Sequence, residues 1–252
     1  MRRRRRTFRI ASALALLGGT AQAWAPETRI ALVDDAVRLL PASLRVALQA
    51  QREPLLRGML EPMTGEDGPE HRPAEVAGGL AAAVSAEAGE LAAALLQPGA
   101  SFSSVARRFG ALAHYVADAG FPPAAGAADD ARYAHFSGFC ESRREKFPLV
   151  FYGHEDAELA AGDFRGFALR LLDRGREDDR LLAAAYAAAG EPPAPAAFDD
   201  RSIPFALGSL AYSRSVTHIV RAWLAAWRAA GGDVGRTPYW KPPTAPIPPE
   251  RP

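Results

Sequence analysis

Apolar residues recur at helical spacing through most of this chain, and nowhere do they alternate over the length of a strand. Ile30, Val33, Val37 and Leu40 form one such stripe. Val105, Phe109, Leu112 and Val116 form another, and Leu210, Val216, Ile219, Trp223 and Trp227 a third. A period near 3.6 puts these residues on one face of a helix, whereas a pleated strand would split them between two faces. The expectation is a single all-α domain.

Breaker residues set the expected boundaries. Helices are expected over Ile30–Leu40 and Leu44–Arg57, interrupted by Pro41. Residues Glu61–Pro73, rich in Pro, Gly and acids, read as a loop. A helix over Val76–Leu96 stops at Gln97-Pro98-Gly99, and Ser101 caps the next, which runs to Ala119 before Gly120 and Pro122. A loop covers Phe121–Ala128 and a helix Asp130–Phe147; Pro148–Gly153 reads as extended or as a tight turn. Asp156–Arg174 and Asp178–Ala189 read as two helices, Glu191–Ala197 as a Pro-rich link, and Ile203–Ala230 as a long final helix. From residue 231 to 252 Pro and Gly dominate, which suggests a disordered tail.

The N-terminus has the order of a secretory signal: Arg2 to Arg6 and Arg9, then apolar Ile10 to Leu17, then small residues ending in Ala21-Gln22-Ala23. The apolar run is too short to span a bilayer. Cleavage after Ala23 removes residues 1–23 and makes Trp24 the first mature residue, for a secreted or periplasmic protein. Arg5-Arg6-Thr7-Phe8 also loosely fits twin-arginine export. Removing the six arginines of this segment leaves 24 basic against 29 acidic residues. Such a chain has no bulk basic field for duplex nucleic acid. Cys140 is the single cysteine, so no intramolecular disulfide staples an exported fold.

A newly freed Trp24 offers a metal its amine and its carbonyl oxygen as one chelate; the plainer reading is a hydrophobic plug. Phe109-Gly-Ala-Leu-Ala-His114-Tyr-Val-Ala-Asp118 is the most informative internal motif. His114 and Asp118, four apart, share a helical face slightly off the apolar stripe, so they are expected partly off the core side. An imidazole and a carboxylate so placed can share zinc, or simply pair at the surface. Elsewhere the plainer reading leads. His154 reads as a helix-start residue and His218 as a partly buried, hydrogen-bonded one. Arg143, Arg144 and Lys146 read as a solvated basic turn. Trp223, Trp227, Tyr212, Phe205 and Cys140 read as core; Ser213 and Ser215 lack the setting of a nucleophile.

The His114–Asp118 motif followed by Phe121-Pro122, the exposed Trp24, and the final Arg214-Ser-Val-Thr-His-Ile-Val-Arg-Ala-Trp223 occur in one chain. Together they resemble the superfamily of zinc-dependent bacterial phospholipase C and the fungal single-strand nucleases of 3'-nucleotidase type. The resemblance implies an all-α domain holding a cluster of three zinc ions and hydrolysing phosphoester bonds. It implies Trp24, His71, His114, Asp118 and His135 as metal ligands, with Asp118 the central, bridging and catalytic one. It also marks losses. No His occurs from Pro26 to Val33; an expected Asp falls near Met63, with Glu66 and Asp67 close by; an expected His falls near Ala124. His135 is followed four residues on by Phe139, and Glu141 is six on. One site then keeps His71, His114 and Asp118, with Glu66 or Asp67 as a fourth ligand. A second keeps only Trp24 and Asp118, and a third only His135 and Glu141. Three readings remain open: an exported zinc phosphoesterase-like hydrolase with fewer ions, acting on a phospholipid head group, a nucleotide phosphodiester or another small phosphoester, or on single-stranded nucleic acid; a noncatalytic binding protein on the same helical fold; or an unrelated exported helical protein in which the motif is coincidence.

Overall fold

The computed structural model describes residues 23–65, 68–71, 78–125, 130–190 and 197–239. Among them the regular structure is helical, as the periodicity requires. In chain order the helices are α1 (Pro26–Arg38), α2 (Ala42–Ala50), α3 (Arg52–Leu60), α4 (Leu80–Leu96), α5 (Phe102–Ala119), α6 (Pro122–Ala125), α7 (Asp130–Arg143), α8 (Ala157–Ala160), α9 (Phe164–Ala189) and α10 (Ile203–Ala229). Short 3₁₀ turns at Glu61–Gly65, Pro69–His71 and Arg144–Lys146 occupy parts of the connections.

Local chemistry starts the long helices where it should. The Ser101 hydroxyl accepts from the Ser104 N–H at 3.2 Å, Asp163 accepts from Gly166 N–H at 2.7 Å, and Ser202 accepts from Phe205 N–H at 3.4 Å. Pro26 stands in the first turn of α1, where its missing N–H costs nothing. That turn lies ahead of Ile30, so α1 begins four residues before the apolar stripe.

Other boundaries also differ from the pattern, and the short helix α6 lies inside the expected loop Phe121–Ala128. The stretch Leu44–Arg57 is two helices, because Gln51 leaves the helical region with φ −115° and ψ 34°. Helix α7 tightens into a 3₁₀ turn after Arg143 rather than running to Phe147. In the other direction, the two helices expected over Asp156–Arg174 and Asp178–Ala189 become short α8 and a continuous α9 of 26 residues. Gly175 costs a helix interior only about 1 kcal/mol. Here tertiary contacts outweigh it: Asp178 pairs with Arg214 of α10 at 2.6 Å and Asp179 with Arg132 of α7 at 3.4 Å.

Helix α5 lies at the centre, with α1, α3, α4, α9 and α10 packed around it. Its contact with α3 is unusually close. A Cβ on Gly58 would sit 1.9 Å from the Arg107 carbonyl oxygen, and one on Gly110 would sit 2.0 Å from that of Leu55. Both obstacles are main chain and cannot rotate away. The glycines let the two backbones touch, which brings the end of α3 against the middle of α5. Gly110→Ala is expected to cost about 1–3 kcal/mol through overpacking. Urea unfolding reads this directly, and an unchanged midpoint would mean that the helices do not meet there.

Residues Pro148–Gly153 form neither helix nor strand and run along α10. The Val150 N–H donates to Ser213 Oγ and the Tyr152 N–H to Thr217 Oγ1, while Ser213 Oγ donates to the Pro148 carbonyl. Side chains of one helix thus serve as the hydrogen-bonding edge that a neighbouring strand would otherwise provide. After α10 the chain folds back: Ser43 Oγ and Trp227 Nε1 both donate to the Asp233 carbonyl. The remainder of the expected tail, from residue 240, lies outside the described residues, as do residues 1–22 of the expected signal segment. No helix among the described residues is long and apolar enough to cross a membrane.

Candidate metal centre

The close approach of α3 and α5 sets the first ligand. The Met59 carbonyl, at the end of α3, lies 2.8 Å from His114 Nδ1. In the tautomer that carries its hydrogen on Nδ1, the ring donates to this carbonyl. Burial, reinforced by the charge of Arg29, lowers the pKa of His114 against the pull of Asp118, so the ring is neutral. In that tautomer Nε2 is the free nitrogen, and it lies toward Asp118. This is how a metal-binding histidine is oriented: one nitrogen held by a carbonyl, the other left as donor.

Asp118 Oδ2 is 3.2 Å from His114 Nε2 and 3.0 Å from His71 Nδ1. His71 Nδ1 in turn lies 3.4 Å from His114 Nε2. One ligand atom from each of His71, His114 and Asp118 falls within 4.8 Å of the others. A single proton on His71 Nδ1 serves both facing acceptors, in a place a divalent ion would take. His71 Nε2 is buried with no hydrogen-bond partner among the described residues. Two imidazoles and a carboxylate are three of the four ligands of a recognised zinc donor set.

The expectation that His114 and Asp118 lie partly off the core is overturned. His114 has no exposed surface and Asp118 is 3% exposed. The reason is the central position of α5: neighbours on every side bury the residues beside its apolar stripe as well as those on it. Burial by itself would raise the Asp118 pKa. The positive charge of Arg29, with the contacts made by His114 and His71, outweighs this and holds the carboxyl well below its ordinary value.

Arg29, from the first turn of α1, is completely buried beside the cluster. Its guanidinium lies 2.8 Å from Asp118 Oδ1, its Nε donates to the Trp24 carbonyl at 2.9 Å, and one terminal nitrogen is 3.1 Å from His114 Nδ1. Trp24 is thereby joined to the site through its main chain, while its side chain is fully buried. The indole N–H donates to the Ala117 carbonyl at 3.2 Å, and the ring packs edge-on against Phe121 at 4.8 Å. Tyr115 completes the surround, its ring 5.2 Å from both imidazoles. Burial first, then Glu70, Glu87 and Asp118, push its phenol up to about 12, so it keeps its proton.

Other expected ligands stand elsewhere. His135 is outside the cluster, its Nδ1 2.7 Å from the Tyr186 hydroxyl. Glu141 accepts from Thr28. The candidate fourth ligands Glu66 and Asp67 lie outside the described residues. Among the described residues, His71, His114 and Asp118 are the one group placed to hold an ion, and no second or third group of three ligands is found. Away from the site, Arg143 and Lys146 pair with Asp200, and Cys140 is a buried thiol whose pKa burial raises. His218 is not held as expected: its Nδ1 has no partner among the described residues, and burial with three nearby arginines lowers its pKa to about 3.

The sequence pattern did not single out Arg29, Tyr115 or the Met59 carbonyl. Tyr115 adjoins His114, and Arg29 is the first basic residue after Trp24, but nothing in a linear pattern turns either toward Asp118.

No family model matches this chain, and no curated protein matches it. Among solved structures it is similar to the crystal structure of Clostridium perfringens alpha-toxin isolated from an avian strain. The TM-score is 0.57 at 12% identity, over 86% of this chain and 67% of the toxin chain. At that identity the likeness shows a shared all-α fold.

Proposed function

We propose that this protein is an exported metal-dependent phosphoesterase-type hydrolase with a reduced, single-ion centre. One observation carries the reading: His71, His114 and Asp118 converge, with His114 oriented by the Met59 carbonyl so that its free nitrogen points inward. The likeness to alpha-toxin supports the helical architecture, and the motif around His114 supports the phosphoester class. In this reading cleavage after Ala23 yields a helical domain beginning at Trp24 and ending near residue 230. The substrate is a lipid or nucleotide phosphoester.

His71, His114 and Asp118 would hold the ion, and zinc suits this nitrogen-rich set. When bound, it supplies Lewis-acid polarisation of a phosphoryl oxygen and acidifies a water. The protein's own part is to keep His114 neutral, Asp118 ionised and the Tyr115 hydroxyl protonated as a hydrogen-bond donor. The His71 side chain is 6% exposed and Tyr115 is partly exposed, on the less enclosed side of the site.

Elemental mass spectrometry of purified protein is the direct test. About one zinc per chain is expected, lost in His71→Ala and in His114→Ala, together with hydrolysis of a phosphodiester substrate. No zinc after zinc is supplied would overturn the metal reading. The noncatalytic reading has its own support, since Arg29 neutralises Asp118 and His135 is engaged with Tyr186. Zinc retention with no hydrolysis across lipid and nucleotide phosphodiesters would favour it.

A further inference from the structure

The Trp24 carbonyl oxygen and Asp118 Oδ1 are held by one buried cation, the guanidinium of Arg29, at 2.9 and 2.8 Å. Apart from that ion pair, Asp118 Oδ1 has no hydrogen-bond partner among the described residues. A main-chain carbonyl and a carboxylate turned toward a common positive centre are a ligand set that a divalent ion would also accept. Here the positive centre is covalently part of the chain.

We propose that Arg29 is a built-in substitute for a second metal ion. It divides the Asp118 carboxylate between two cations: the guanidinium on Oδ1, and the ion of the His71–His114 site on Oδ2. The guanidinium fills the space and neutralises the carboxylate that a second ion would need. It also repels any further positive charge beside it. Two consequences follow. The centre is restricted to one ion. Its loading also does not depend on a free amine at Trp24, because the Trp24 carbonyl is already held by the guanidinium.

The proposal rests on the metal reading above only for the ion at His71, His114 and Asp118. What tests Arg29 is an increment in metal content, which is separable from the absolute count. A histidine at position 29 reaches the same distance: Arg Nε and His Nε2 both lie four bonds from Cα. Zinc per chain is measured by elemental mass spectrometry after gel filtration for the parent protein and for Arg29→His, with thermal unfolding in parallel. The expected result is one more zinc in Arg29→His than in the parent, and a melting temperature that rises with zinc further than the parent's does. A folded Arg29→His with the parent's zinc content would overturn the proposal.

A second comparison holds even if that variant does not fold. Parent protein beginning at Trp24 and parent protein carrying additional residues before Trp24 are titrated with zinc. Equal stoichiometry of no more than one is expected. An additional ion bound only when the Trp24 amine is free would overturn the proposal. Zinc-free parent protein alongside an Arg29→His that gains one ion would sink the metal reading of the previous section while leaving Arg29 in its assigned role.

Discussion

Asp118→Asn is expected to lower the stability of the metal-free protein by about 3–5 kcal/mol, the range for breaking a buried ion pair from one side. The substitution keeps the shape of the side chain and removes its charge. Arg29 is then left fully buried, 2.8 Å from an amide that cannot neutralise it, and His71 loses its charged acceptor. A loss of this size lowers the melting temperature by on the order of 10 °C in a domain this long. Denaturant unfolding in the presence of a chelator separates it from any loss of metal. The double variant with Arg29→Met should be less destabilised than the sum of the two single changes, since it removes both charges together. A loss under about 1 kcal/mol for Asp118→Asn would mean that the pair is not formed in solution. The sign of the acid response follows from the depressed carboxyl. The contribution of Asp118 is complete above the ordinary value of 3.8 and is lost only as pH falls through the lower folded value.

Trp24→Ala should be as damaging to the fold while leaving the metal site largely intact. The indole is fully buried, packs on Phe121 and Tyr212, and donates to the Ala117 carbonyl. Truncation removes a large apolar surface and opens a cavity beside α5, a combination that costs about 3–5 kcal/mol. The carbonyl that Arg29 uses belongs to the main chain and survives the substitution. The expected outcome is a markedly lower midpoint of unfolding with zinc content close to that of the parent at temperatures where the variant is folded. Loss of zinc from folded Trp24→Ala would assign the side chain a direct part in the centre. An unchanged midpoint would mean that the indole is not packed as described. This experiment tests the plug reading of Trp24 alone, because the main-chain amine and carbonyl of the ligand reading survive the substitution.

The helical class, the Ser101 cap, the extent of α5 and the shared face of His114 and Asp118 were all legible before any coordinates. Each depends on interactions within a few residues: a capping hydroxyl, a breaker, a period of 3.6. Those same rules mislead where tertiary contacts intervene. Gly175 looks like a stop between two helices, yet Arg214 and Arg132 hold Asp178 and Asp179 inside one. The stripe on α5 suggests that His114 lies partly off the core side, yet the other side of the helix is covered too.

The site divides along the same line. Local periodicity brings His114 to Asp118, because four residues make one helical turn. It says nothing about His71, which comes 43 residues earlier than His114 and meets it through the packing of the chain after α3. Nor does it place Arg29, which lies 85 residues from His114. Those meetings depend on Gly58 and Gly110 allowing two backbones to touch, and on α1 delivering a fully buried guanidinium beside Asp118. A pattern along one helix records which residues share its face. Only the packing of helices distant in sequence determines which charge stands opposite that face, and here it is an arginine.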